Sequence, residues 1–417
     1  MVKIQHALMT AVAMLLAPSA AGAAPDDGSV ADLKLERVVM LMRHGVRPPT
    51  KAPATPEGTA AQPWSSWTTP FGELTPHGAE GARLMGVYSR TLLRSRGLLP
   101  DEGCAPAGDV VVWASGKSRA IKTAESFTEG LQPGCGVKVA HPNSEDNDPV
   151  FHPAEGAAID GVLALKSAQR LKPGIAYEAR IHAEDFKVLQ RVLGCDLATR
   201  AGCGVAARPS RLNGNPTDGP DVEGALSIAS TAGQTILLEY VEGKPMDQVG
   251  WGRASKADIH AMLRFHPVKF RYEARSPYVA ERYAAPVARR ILEALNGENG
   301  TGKLTLLVGH DTNIAALGGF LGVHFTIADY PRDDPPPGGA MGFELLRDAG
   351  GHAFVRAFYT AQSMDQLREL QPLTAANPPA YAYFPIPGCG VKGEPTVCPL
   401  ETFRRIVGGK LASPAKN

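Results

Sequence analysis

Arg37-Val38-Val39-Met40-Leu41-Met42-Arg43-His44-Gly45-Val46-Arg47, residues 37–47, decides how this chain is read. The apolar run reads as a strand, and the chain leaves it with a histidine set between two arginines. Two guanidinium groups collect an anion and disfavour a charged imidazole, so His44 is expected to be neutral and nucleophilic inside a phosphate site.

Two more apolar runs end in the same manner. Val110-Val111-Val112-Trp113 is β-branched and bounded by turn residues, and residues 118–131 follow with Ile121, Ala124 and Leu131 on one helical face. Leu304-Thr305-Leu306-Leu307-Val308 is closed by Gly309, and residues 311–320 read as a helix whose first residue, Asp311, suits the N-terminal dipole. In Leu74-Thr75-Pro76-His77-Gly78, Thr75 reads as an N-cap with Pro76 in the first turn; Leu84, Val87, Tyr88 and Leu92 continue that helix, Arg90, Arg94 and Arg96 close it, and Gly97 ends it. Repeated strand–helix units predict an α/β fold, a mainly parallel sheet flanked by helices on both faces. After Pro335-Pro336-Pro337-Gly338-Gly339, residues 341–346 and 353–359 are spaced as a hairpin around Asp348-Ala349-Gly350-Gly351.

From about 151 to 265 the pattern turns helical without convincing strands, through residues 177–193 and 222–241, with a polar loop at 213–220. In 222–241 the stripe Leu226, Ala229 and Leu237 reads as core. We expect an inserted, mostly helical domain at 151–265, and an α/β catalytic domain made of 32–150 plus 266–417. The Pro-rich stretch 48–76 is expected as an ordered surface loop beside the site, with Trp64 and Trp67 packing it down.

Residues 1–23 carry Lys3, an apolar stretch and the small-residue run Ala21-Gly22-Ala23, the pattern of a secretory signal peptide. A periplasmic or secreted protein is therefore expected. The whole chain has 43 Lys+Arg against 42 Asp+Glu, and removing 1–23 takes away Lys3 and no acid, leaving the two signs equal. Bulk charge then recruits neither nucleic acid nor an anionic membrane, and any anion attraction is local. No later segment is apolar for long enough to cross a bilayer.

Six cysteines in an exported chain imply disulfides. Fifteen pairings are open in principle; the short separations of Cys195 from Cys203 and of Cys389 from Cys398 favour local bridges, which leaves Cys104 with Cys135. No CxxC occurs and no His-rich spacing accompanies the cysteines, so a metal site is not expected. His77, His141, His152, His182, His260, His266, His324 and His352 share no ligand spacing and read as surface or core residues.

Three distant segments, Arg43-His44, the turn Ser115 to Arg119 and His310-Asp311, each follow a strand at its carboxyl end, where open α/β sheets gather ligands. One crevice holding all three would give Arg43, Arg47 and Arg119 as bidentate donors to a phosphoryl group, with His310 as another donor. His44 would then attack to form a phosphohistidine, and Asp311 would act as general acid and afterwards as base for water. A carboxyl group must be protonated to act as acid, so activity is expected to be best at acid pH.

Arg43-His44-Gly45-Val46-Arg47-Pro48-Pro49-Thr50 with His310-Asp311-Thr312-Asn313 resembles the histidine acid phosphatase branch of the histidine phosphatase superfamily, in particular bacterial periplasmic phytases and glucose-1-phosphatases. The likeness spans nearly the whole mature chain. It includes Leu74-Thr75-Pro76-x-Gly78, Arg119, Asp148-Pro149-Val150-Phe151, Gly250-Trp251-Gly252-Arg253, the Pro336-Pro337-Gly338-Gly339 turn and the three cysteine pairs. It implies catalytic roles for Arg43, His44, Arg47, Arg119, His310 and Asp311, with Thr50 and Lys51 lining the substrate pocket. It also implies a small-molecule phosphomonoester as partner, no cofactor and no metal; a monomer is the expectation.

Substrate is less sharply written. The phytase subgroup implies an acidic residue near Gln234 and a basic one near Tyr283, and both are neutral here, while the His-Asp-Thr-Asn form leans toward phytase. A phytase-like enzyme is the expectation, with a glucose-1-phosphatase or broad acid phosphatase as the alternative. A mutase would need a phosphohistidine shielded from water and a cytosolic metabolite, against the signal peptide. A silent phosphate-binding protein would need a lost nucleophile or acid, and His44 and Asp311 are both present.

Overall fold

The computed structural model describes residues 33–143, 148–153, 159–215 and 219–412. The signal-peptide reading of 1–23 lies outside the described residues. In chain order the elements are β1 (Lys34–Arg43), α1 (Pro76–Ser95), β2 (Val110–Ala114), α2 (Ser118–Leu131) and β3 (Val139–Ala140), then α3 (Gly161–Gln169), α4 (Ile175–Ile181) and α5 (Ala183–Val192). A hairpin of β4 (Arg211–Asn215) and β5 (Gly219–Glu223) leads to α6 (Ala225–Val241), α7 (Lys256–Leu263), α8 (Phe265–Glu273) and α9 (Pro277–Asn296). The chain then returns to the sheet with β6 (Leu304–Gly309), α10 (Asp311–Leu321), β7 (Ala340–Arg347), β8 (Ala353–Ala361), α11 (Met364–Arg368), β9 (Ala380–Phe384), β10 (Val397–Pro399) and α12 (Leu400–Ala412).

The main sheet runs β10-β8-β7-β1-β6-β2-β3, with β9 also paired to β8. It is mixed. Parallel pairing joins β1, β6, β2 and β3, whereas β7, β8, β9 and β10 add antiparallel strands on the other side of β1. The expected hairpin at 341–359 is β7–β8, and it supplies this antiparallel half.

Period-two alternation explains why β1 is apolar from Val38 to Met42. Val38, Met40 and Met42 enter one core with Leu84, Met85 and Phe127 of α1 and α2, while Val39 and Leu41 enter another with residues of α9, α10 and the helices of 161–273. Both faces are therefore covered, and few substitutions in β1 are neutral: truncating a fully buried leucine or methionine there costs about 2–5 kcal/mol.

Local expectations hold at several ends. Thr75 caps α1 by accepting from Gly78 N–H, Pro76 opens the helix, and Gly97 follows it at φ +70°. Helices α1 and α2 meet backbone to backbone: a Cβ on Gly86 would lie 2.0 Å from Phe127 O, and one on Gly130 2.0 Å from Arg83 O, so only glycine fits either position.

The middle of the chain departs from expectation in two places. Strands do occur there, since Arg211–Asn215 and Gly219–Glu223 pair antiparallel, Leu212 with Val222 and Gly214 with Pro220. Its alternation is too short, and too rich in Asn, Gly and Pro, to stand out as strand. The helix expected at 177–193 is two helices hinged at His182 (φ −92°, ψ 22°). Leu226, Ala229 and Leu237 are fully buried on α6, as their stripe implied.

All three bridges form: Cys104–Cys135, Cys195–Cys203 and Cys389–Cys398. The Pro-rich loop is irregular but anchored. Trp64 donates to Thr55 Oγ1 and packs on Trp251, and Lys244 Nζ lies 3.9 Å from the Trp67 ring centre. Among the described residues, no helix is long and apolar enough to cross a membrane.

Candidate active site

Parallel register brings the three strand ends together. Arg43 pairs with Gly309 and Ala114 with Val308, so His44, His310 and Ser115 each stand one residue past neighbouring strands. Backbone bonds fix them there: His44 N–H to Gly309 O at 3.0 Å and Ser115 N–H to Val308 O at 2.8 Å. The motif loop also needs its glycine neighbours, because a Cβ on Gly78 would lie 2.3 Å from Val46 O.

His44 is buried, with Nδ1 2.9 Å from the Gly45 carbonyl. A carbonyl accepts only, so Nδ1 carries the proton and the lone pair rests on Nε2, toward which Arg47 Nε–H points at 3.5 Å. Burial first, then Arg47, Arg119, His310 and Arg43, hold the imidazole pKa well below the usual histidine range. The ring is neutral, as its cationic neighbours implied.

Arg43, 1% exposed, is held by Pro335 O at 2.6 Å, by Gln234 Oε1 at 3.2 Å and by Asp311 Oδ2 at 2.8 Å. Arg47 donates to Pro48 O at 2.8 Å, and burial, followed by Arg119 and Arg43, pushes its pKa down to about 9. Like charges so concentrated call for an anion among them. Arg119, on the first turn of α2, lies 3.4 Å from His310 Nδ1 through NH2. The His44 and His310 rings are 5.5 Å apart, edge to face.

His310 is the residue before α10, and its backbone N–H donates to Asn313 Oδ1 at 2.8 Å. Burial first, then Arg119 and His152, hold its pKa well below the usual value. For Asp311, burial alone would raise the pKa, yet Arg43, His266, His44 and Arg47 together hold the carboxyl well below the usual carboxylate range. These neighbours therefore keep Asp311 ionised.

Thr50 and Lys51, both exposed, line a cavity of about 330 Å³ shared with Arg43, Arg47, Gln234, His266 and Asp311. Every residue expected at the site, Arg119 and His310 included, thus gathers at this one end of the sheet. Tyr283 does not: it packs against the apolar clusters beside α9 and α3. Gln234 does face the site, and its Nε2 is buried without a hydrogen-bond partner.

Two histidines read as ordinary core or surface residues belong here. His152 Nε2 is 3.0 Å from His310 Nε2, and His266 Nε2 is 3.8 Å from Asp311 Oδ2 while its Nδ1 is 2.6 Å from Asp334 Oδ1. His152 directly follows Asp148-Pro149-Val150-Phe151, where Asp148 accepts from Gly116 and Phe151 N–H groups, and that adjacency was its signal. His266 carries no such local mark. Among the described residues no group of three or more His, Cys, Asp or Glu is arranged to hold a metal ion.

A neutral histidine facing a cluster of guanidinium groups, with a carboxylate at the rim, is the equipment of phosphoryl transfer through the imidazole. A family model described as histidine phosphatase superfamily (branch 2) matches residues 34–167. Phytase AppA of Escherichia coli is 31% identical over 404 residues, 90% of this chain and 92% of that protein. Glucose-1-phosphatase of Salmonella typhimurium is 28% identical over 402 residues, again 90% of this chain and 92% of that protein. Among solved structures, Hafnia alvei phytase in complex with tartrate superposes with a TM-score of 0.85 at 32% identity, covering 91% of this chain and 98% of that one. The chain belongs to branch 2 of the histidine phosphatase superfamily, and it is a phosphomonoesterase of the histidine acid phosphatase type.

Proposed function

We propose that the protein is an exported, phytase-like acid phosphatase that works through a phosphohistidine on His44. In the first step the Nε2 lone pair of His44 forms the N–P bond as the ester O–P bond breaks, and Asp311 gives its proton to the leaving oxygen. In the second, water attacks the phosphoryl group, Asp311 takes the proton, the N–P bond breaks and inorganic phosphate leaves. Arg43, Arg47, Arg119 and His310 hold the transferring oxygens, with the guanidinium groups opposing their charge.

Its cationic neighbours keep Asp311 ionised, so its acid role depends on the substrate. A phosphate dianion cancels the guanidinium charge that depresses the carboxyl and restores its hold on a proton; a monoanion brings that proton with it. Either route favours acid pH.

One observation carries the substrate class. The phosphate cradle opens onto the 330 Å³ cavity, whose walls add Lys51 and Lys269 to Arg43 and Arg47. Asp311 and Glu273 offset part of that charge, but Lys51 and Lys269 stand apart from the arginines assigned to the transferred phosphoryl group, and they suit an ester bearing further phosphates. The unpaired Gln234 Nε2 favours a second reading, a sugar monophosphate whose hydroxyl accepts from it. The three disulfides support an oxidising compartment.

A panel of phytate, glucose 1-phosphate and an aryl phosphate at acid pH tests this. We expect phytate to show the highest kcat/KM; glucose 1-phosphate in first place transfers the assignment to the sugar reading. His44→Ala is expected to leave a folded protein with turnover reduced by about 10⁴-fold or more.

A further inference from the structure

Helix α8 presents His266, Lys269, Phe270 and Glu273 to the cavity, the i, i+3, i+4 and i+7 positions of one helical face. His266 belongs with Asp311. Lys269 stands three residues farther along, about 4.5 Å down the helix axis, and so away from the phosphoryl group being transferred. Its Nζ lies 2.9 Å from Glu273 Oε2, and Glu273 Oε1 accepts from Val222 N–H at 2.8 Å. The carboxylate is thereby pinned between α8 and β5, and the ammonium is held in the cavity wall.

Lys269 stays charged. Burial works against its proton, but Glu273, Asp221 and Asp311 outweigh that and raise its pKa. Glu273 behaves oppositely: burial, reinforced by Asp221, pushes it up to about 7 in spite of Lys269 and the Val222 N–H. The groups facing this pair are His266 on α8, Asp221 on β5 and Asp311 on α10, with Lys51, Arg47 and Arg43 in the other walls and only uncharged Ser230, Thr231, Gln234, Thr235 and Leu238 from α6.

We propose that Lys269, positioned by Glu273, is the specificity-determining residue through which the pocket recognises a second phosphate of the substrate. This deepens the phytase-like reading and rests on it. As pH falls through about 7, Glu273 takes up a proton and ceases to compete for the ammonium, so the wall gains one net positive charge. Above that pH the internal ion pair opposes a polyanion's claim on Lys269. Polyphosphorylated substrates are therefore favoured over simple ones at acid pH.

The test uses the non-transferable polyanion myo-inositol hexakissulfate and inorganic phosphate as competitive inhibitors of aryl phosphate hydrolysis. Lys269→Gln is expected to weaken hexakissulfate inhibition about tenfold and inorganic phosphate inhibition by less than about twofold, and Lys269→Arg to retain the discrimination. Glu273→Gln should strengthen hexakissulfate inhibition at about pH 8 and flatten its dependence between about pH 6 and 8. Equal weakening of both inhibitors by Lys269→Gln, no weakening of either, or weaker hexakissulfate binding in Glu273→Gln overturns the proposal. If wild-type enzyme leaves phytate untouched while hexakissulfate inhibition keeps its Lys269 dependence, phytate is excluded as substrate and this inference holds only for another polyphosphorylated ester. If phytate is the best substrate and Lys269→Gln binds both inhibitors as wild type does, the inference fails alone.

Discussion

His266 holds its Nε2 3.8 Å from the Asp311 carboxylate while the fully buried Asp334 grips its Nδ1 at 2.6 Å. The proposed proton donor is thus flanked by an imidazole that is itself anchored from behind, and by Arg43 at 2.8 Å on the other side. Removing either neighbour lessens the pull that keeps Asp311 ionised.

His266→Ala should therefore raise the Asp311 pKa and move the alkaline limb of kcat to higher pH for esters with poor leaving groups. A pH–rate profile on an alkyl phosphate checks this. An unmoved limb accompanied by a uniform loss of kcat would assign His266 to packing alone.

Asp311→Asn should slow alkyl phosphates by about 10²–10⁴-fold, the usual scale of general acid catalysis, and activated aryl phosphates far less. Comparing kcat across a series of leaving groups reads this directly. Equal losses on both kinds of ester would remove the proton-donor assignment.

His44 must be unprotonated to attack, and burial with Arg47, Arg119, His310 and Arg43 keeps it so far below the ordinary histidine range. Activity should persist as pH falls through about 6.5, the unperturbed histidine value. Arg119→Ala removes one of those cations, so the His44 pKa rises and the acid limb of kcat/KM moves upward. The same variant should weaken competitive inhibition by inorganic phosphate by about 1.5–3 kcal/mol, the scale of a hydrogen bond to a charged group.

Away from the site, Glu344 on β7 is 1% exposed and receives Arg96 from the end of α1, Arg356 from β8 and the Tyr381 hydroxyl from β9. Glu344→Gln removes the buried carboxylate that Arg96 and Arg356 share and should cost about 3–5 kcal/mol of stability. Thermal unfolding measures it. Turnover at low temperature should be unchanged, since none of these residues borders the cavity.

The gathering of the proposed phosphate cradle was legible because its parts are local. Strand, Arg43-His44 and turn are contiguous; so are β6, His310 and Asp311, and strand-end geometry makes such segments meet. The α1 cap at Thr75 and the β7–β8 hairpin were legible for the same reason. The antiparallel share of the sheet was less so, because β9 and β10 are short strands whose pairing is settled by what packs on β8. The helix α8 wall was not legible at all. His266, Lys269 and Glu273 have ordinary helical spacing, and nothing local distinguishes a face turned to a cavity from one turned to solvent. His152 and His266 acquire their roles only through neighbours 158 and 45 positions away, His310 and Asp311.

Since β1, β6 and β2 are adjacent, the segments proposed to grip a phosphoryl group leave the sheet at intervals of about 4.8 Å. Hydrogen bonding between backbones rules that interval, and no exchange of side chains alters it. The facing walls, α6 and α8, obey no such ruler. Descendants of this scaffold can consequently change what they grasp by rewriting helix positions such as 234, 269 and 273, while the jaw that breaks the ester keeps its gauge.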